Sequence, residues 1–151
     1  MAIRNIVQIG DEVLRKKSFE VTDFGPKTIQ LLDDMKETLF KAQGAGLAAV
    51  QVGILKRIFL LNTDKGYFEC INPKIVSTSG VQTGEEGCLS VSGKQGTVER
   101  PYKVTLVAQD RYGKQFKLKA TGFTARAICH ENDHLDGILY IDKANSVRGI
   151  W

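Results

Sequence analysis

Cysteine, proline and histidine are all scarce in this chain, with three, three and two residues among 151. The cysteines, Cys70, Cys88 and Cys129, are odd in number and irregularly spaced, so they do not form a disulfide framework and at least one thiol is free. A reducing compartment, the cytoplasm, is the expected location. With so few prolines, no repeats and no low-complexity tract, nothing divides the chain. Its 42% hydrophobic and 25% charged residues fit one domain over 1–151. No apolar run is long enough to cross a bilayer, and MAIRNIVQIGDEVLRKK carries charges where a signal peptide needs its apolar stretch, so no membrane association is expected. Massed charge of one sign is missing too. The net charge is +4, but Lys and Arg are interspersed with Asp and Glu, which argues against direct specific nucleic-acid binding and leaves room only for weak association with an RNA-rich particle.

What is present divides into helix, strands and helix. Pro26 stands at a first helical position, and Ile29, Leu32, Met35, Leu39 and Phe40 recur at helical spacing, which predicts a helix ending near Gly44. RIFLLN (57–62), YFECINPKIV (67–76), KVTLVAQD (103–110) and KQFKLKA (114–120) are bounded by turn signals, and their alternation predicts an antiparallel, half-buried sheet. A second helix is expected from Gly122 to a stop at Gly137, followed by ILYID (138–142) as a last edge strand. This order is α+β. It also disposes of one decoy. GAGLAA at 44–49 fits the dinucleotide pattern GxGxxA, and Asp64 lies twenty residues beyond Gly44, but that motif needs a strand before it and here a helix precedes it.

The second helix carries the chemistry. His130 and His134, the only histidines, are four apart, so both imidazoles leave the same face one turn apart and can reach one metal ion. They continue the apolar stripe of Phe123 and Ala127. A purely structural reading would bury two imidazoles and a carboxylate in one turn, each needing partners to offset its desolvation. Glu131 flanks the pair and is poorly placed to be a ligand. In HENDH it occupies the general-base position of HExxH hydrolases, where it takes a proton from the attacking water and passes it to the leaving amine.

A catalytic site of this kind needs a third protein ligand. Carboxylates and the three cysteines are the candidates. Cys129 points about 100° away from His130 and is expected to pack as a small apolar residue. Cys70, in an alternating strand, is expected in the core. Cys88 lies in TGEEGCLSVSG, a polar, glycine-flanked segment in which ordinary core burial is not expected, and it is the favoured thiolate.

Taken together, GAGLAAVQ (44–51), EGCLS (86–90) and HENDH (130–134), with INP at 71–73 and VERP before a strand, resemble the signature motifs of the peptide deformylases from end to end of the chain. The resemblance implies antiparallel sheets around a central metal-binding helix. It also implies removal of the N-formyl group from the initiator methionine of nascent bacterial polypeptides. One divalent metal, natively Fe2+ and replaceable by Zn2+, Ni2+ or Co2+, would be held by Cys88, His130 and His134. Glu131 would be the acid/base, and the Gln51 amide and Leu89 backbone N–H would face the oxyanion, a role suited to uncharged donors. Gly44 and Gly46 would allow close approach of an extended peptide, with Ala45 and Gly87 as backbone partners. Phe123, Ala127 and Ala45, with Leu89 or Val50 near by, would enclose the methionine side chain, and Arg126 would stand at the edge. Arg100 would pair with Asp133 to brace the metal helix.

This chain departs from the usual text at Val50, Ser92, Cys129 and Asn132, none of them a ligand. Only seventeen residues follow His134, and Trp151 stands where longer members continue as a ribosome-contacting helix, so weak ribosome association is the most that is expected. An ordinary zinc endopeptidase would recruit a downstream carboxylate or histidine, and the chain offers only Asp136 and Asp142 as acidic candidates there and no third histidine. A structural zinc site would normally have four protein ligands and no glutamate beside the first histidine.

Overall fold

The computed structural model describes residues 2–149; Ile150 and Trp151, on which the reading of the chain end rests, lie outside them. Helix α1 spans Pro26–Ala42, strand β1 Gly46–Ala48, β2 Ile58–Thr63, β3 Gly66–Ser79, β4 Gln82–Cys88, β5 Val91–Arg100, β6 Lys103–Gln109, β7 Gln115–Thr121, helix α2 Gly122–His134 and β8 Ser146–Gly149. All pairings among these strands are antiparallel. One sheet runs β1-β2-β3-β6-β7 and the other β4-β5-β8, so the expected α+β class holds.

Strand β2 explains how the core is divided. Ile58, Phe59, Leu60 and Leu61 are all fully buried, although side chains alternate between sheet faces, because a helix covers each face. Ile58 and Leu60 meet Leu31, Leu32, Met35 and Leu39 of α1. Phe59 and Leu61 join Ala125, Ile128 and Leu135 of the α2 side. Each such apolar side chain contributes about 2 kcal/mol through burial. Cys70 is fully enclosed in the second cluster and Cys129 almost so; all three cysteines are free thiols. Among the described residues no helix is long and apolar enough to cross a membrane.

Helix α1 begins with Pro26 at its first position and stops where Gln43 turns left-handed at φ 55. The end of α2 is a Schellman arrangement. Gly137, at φ 76, donates to the carbonyl of His134, and Ile138 N–H donates to that of Asp133, so the turn after the helix closes against its last carbonyls.

Two expectations need correction. ILYID forms no edge strand: Tyr140–Asp142 is a short 3-10 turn, because Tyr140 is drawn into a cluster with Val91 and Val98 while the Asp142 carboxylate accepts from Leu139 N–H. The last strand comes later, at Ser146–Gly149, paired with β5. Nor is the sheet half-buried throughout: β2 is enclosed on both faces, by α1 on one and α2 on the other. TGEEGCLSVSG folds as a hairpin in which Glu86 is buried through ion pairing.

Candidate metal centre

Helix α2 holds His130 and His134 with ring centroids 5.1 Å apart and planes at 71°. The end of β4 brings Cys88 Sγ to 3.3 Å from His134 Nε2. One ligand atom from each of Cys88, His130 and His134 lies within 4.8 Å of the others, which fits a single ion bound by one sulfur and two nitrogens. Three segments distant in sequence thus meet, the third being the short turn Ala49–Val52 that carries Gln51.

Glu86 organises this centre. Its carboxylate is 2.9 Å from His130 Nδ1, accepts from Arg100 Nε and Nη2 at 2.9 Å each, and accepts from Arg126 Nη1 at 2.7 Å. An acceptor on Nδ1 fixes the imidazole so that Nε2 faces the centre. Arg100 also donates to Asp133 at 2.7 Å, tying β5 to the metal helix. Burial alone would raise the Glu86 carboxyl, but the hydrogen bonds from His130 and Arg100 hold it down at about 2. Burial likewise pushes His130 down, and the hydrogen bonds with Cys88 and Glu86 outweigh it and carry the imidazole up to about 10. The site favours positive charge between these groups. His134, with no carboxylate on its ring, is held well below the usual histidine range by burial and then by the charge of His130.

Glu131 is almost completely enclosed, and its Oε2 is 3.9 Å from His130 Nε2. Burial raises its carboxyl to about 7, partly countered by His130. Oε1 has no hydrogen-bond partner among the described residues. A Cβ added to Gly46 would come within 2.6 Å of Oε2, so this glycine leaves room for the carboxylate itself. Gln51 is held by Ala48 N–H, which donates to Oε1 at 2.9 Å. That turns Nε2 toward Ser90 Oγ at 3.0 Å and Cys88 Sγ at 3.6 Å.

These groups open into one cleft of about 460 Å³. Gly44, Ala45 and Gly46 line it on one side and Gly87 and Leu89 on the other, with Phe123, Arg126 and Ala127 from α2. Strands β1 and β4 are each the edge of their sheet. Phe123 stands at the rim, 57% exposed, while Val50 is fully buried in the core and outside the cleft lining. Arg126 is buried against Glu86 and the carbonyl of Val98, so it supports the wall of the cleft rather than projecting from it.

Two participants escaped the sequence reading. Glu86 was visible as half of a carboxylate pair beside Cys88, but which of Glu85 and Glu86 faces inward depends on the hairpin register. Tyr140 stacks on the His130 ring at 6.0 Å and 25°, a contact that no local pattern announces.

The polypeptide deformylase family profile matches residues 3–149. The peptide deformylase of Caldicellulosiruptor bescii is 53% identical over 143 residues, 95% of this chain and 86% of that protein. The crystal structure of peptide deformylase from Thermotoga maritima aligns with a TM-score of 0.94 at 35% identity, over 97% of this chain and all of the other. The Synechococcus elongatus enzyme in complex with actinonin aligns at 0.90 and 37% identity, over 94% and 79%. With its hydrolytic constellation and these relatives, the chain belongs to the polypeptide deformylase family of metal-dependent hydrolases.

Proposed function

We propose that this protein removes the formyl group from the N-terminal formyl-methionine of nascent polypeptides, releasing formate and a free amino terminus. The observation that carries the reading is the convergence of Cys88, His130 and His134 beside the buried Glu131 at the floor of a cleft bordered by two sheet edges.

Cys88 Sγ and the two imidazoles would hold one divalent ion, Fe2+ natively and Zn2+, Ni2+ or Co2+ in exchange, since a mixed thiolate and imidazole set suits several of these metals. When bound there, the ion would supply Lewis acidity for water and for the formyl carbonyl. Glu131, with a carboxyl near neutrality, accepts the proton of the attacking water and returns it to the leaving nitrogen. Gln51 Nε2 and the Leu89 backbone N–H donate to the oxygen that gains charge. Gln51 is already oriented by Ala48, so little reorganisation is needed when that charge appears.

The substrate backbone lies extended between the two edges, with Ala45 and Gly87 as partners and Gly44 and Gly46 permitting close approach. Its methionine side chain packs among Phe123, Ala127, Ala45 and Leu89, an apolar enclosure suited to an unbranched thioether. The whole activity belongs to one domain over 1–151, working in the cytoplasm where formylated chains emerge. The +4 charge fits weak ribosome association.

The test is product analysis on a formyl-Met tripeptide, its acetylated counterpart and an unblocked peptide with internal bonds. Formate and new amino termini from the first alone are expected. Internal cleavage, or equal cleavage of the acetylated peptide, would contradict the reading.

A further inference from the structure

Residues 7–9 cross the outside of both segments that carry the oxyanion donors. Val7 N–H donates to the carbonyl of Gln51 at 2.7 Å, and Ile9 N–H donates to that of Ser90 at 2.8 Å. Between them Gln8 uses both ends of its amide. Nε2 donates to the Leu89 carbonyl at 2.9 Å, and Oε1 accepts from Ser92 Oγ at 2.8 Å and more weakly from Ser92 N–H at 3.4 Å. The segment is anchored on both sides. Upstream, Arg4 N–H donates to Thr38 Oγ1 at 2.9 Å and its guanidinium pairs with Asp34. Downstream, Asp11 caps the turn Glu12–Arg15, whose Leu14 is buried.

We propose that residues 7–9 are a positioning strap for the two oxyanion donors, with Gln8 as the residue that clamps the Leu89–Ser92 turn. This rests on the assignment of Gln51 and Leu89 to the oxyanion. The Leu89 N–H is the donor, and its direction depends on rotation about Leu89. Holding the next two carbonyls, of Leu89 and Ser90, restricts that rotation. Ser90 is also the partner of Gln51 Nε2, so one clamp steadies both donors. Gln8 touches neither substrate nor metal and is a positioning residue. Its side chain is exposed, so the pairs compete with water and the effect is smaller than the loss of a donor.

Gln8→Met preserves length and bulk while removing the clamp, and Ser92→Ala removes its strongest acceptor contact. On the formyl-Met tripeptide, Gln8→Met is expected to lower kcat about fivefold, against the hundredfold or more typical of losing an oxyanion donor, with KM and metal content unchanged. Ser92→Ala is expected to lose less, and the double variant no more than Gln8→Met alone, as for two partners in one interaction. An unchanged kcat in Gln8→Met, a loss confined to KM, or strictly additive losses would overturn the strap. Gln51→Ala in the same assay separates the two levels. Full activity there defeats the oxyanion assignment itself, whereas a large loss there with none in Gln8→Met defeats only the strap.

Discussion

Glu131→Ala is expected to retain one metal ion per chain and to lose about two to four orders of magnitude in kcat, the range that a positioned acid/base contributes. The carboxylate lies beside the proposed ligands and outside their cluster: its Oε2 is 3.9 Å from His130 Nε2, while one atom each of Cys88, His130 and His134 lie within 4.8 Å of one another. Removing it takes away the proton carrier and leaves the donor set intact. Gly46→Ala should act on the same group from outside. Its Cβ would meet Glu131 Oε2, Cγ and Cδ within 2.9 Å, so kcat should drop while metal content stays stoichiometric. Metal analysis with steady-state kinetics on both variants checks this. Loss of metal together with Glu131, or unchanged turnover, would remove it from the acid/base role.

The second large effect is expected at Glu86, where glutamine keeps the shape and deletes the charge. Arg100 and Arg126 are almost fully buried, and both depend on this carboxylate. Arg100 would keep Asp133, and Arg126 would be left with carbonyl partners. Removing one member of a buried ion group costs about 3 to 5 kcal/mol, which in a chain of this size lowers the melting temperature by roughly 10 °C. His130 would also lose the acceptor that orients its ring, and the loss of such a partner weakens metal binding about 10- to 100-fold. Thermal melts and metal competition therefore read two consequences of one substitution. A variant as stable and as tightly metallated as the parent would show that the network is not what fixes His130.

The helix that carries HENDH was legible because its information is local. Four-residue spacing places two imidazoles together whatever the rest of the chain does, and Gly137 marks its end in sequence as in structure. The middle strands were legible as apolar-rich runs between turn signals, within about a residue or two at their ends apart from the longer β3, although β2 is buried on both faces and does not alternate. The β4–β5 hairpin was not, because β4 turns Glu86 inward through charge pairing while Val91 and Val98 of β5 pack on Tyr140 from a distant segment. Glu86 is buried there because Arg100, fourteen residues on, and Arg126 on another element meet it. The ILYID segment misled for a related reason: its apolar residues serve a tertiary pocket beside His130, and tertiary packing overrides a strand-like pattern. Cys88 could be favoured as the thiolate from its polar, glycine-flanked surroundings, and the resemblance strengthened that reading, since nothing local to EGCLS says which helix it will face.

One ion at Cys88, His130 and His134 is proposed to make this cleft a deformylating site. Protein purified without oxygen, stripped of metal and titrated with ferrous iron or nickel should gain formate-releasing activity in proportion to added metal and saturate at one ion per chain, and Cys88→Ala should fail to do so. Saturated protein that releases no formate, or stripped protein and Cys88→Ala that release it at the full rate, would contradict the account.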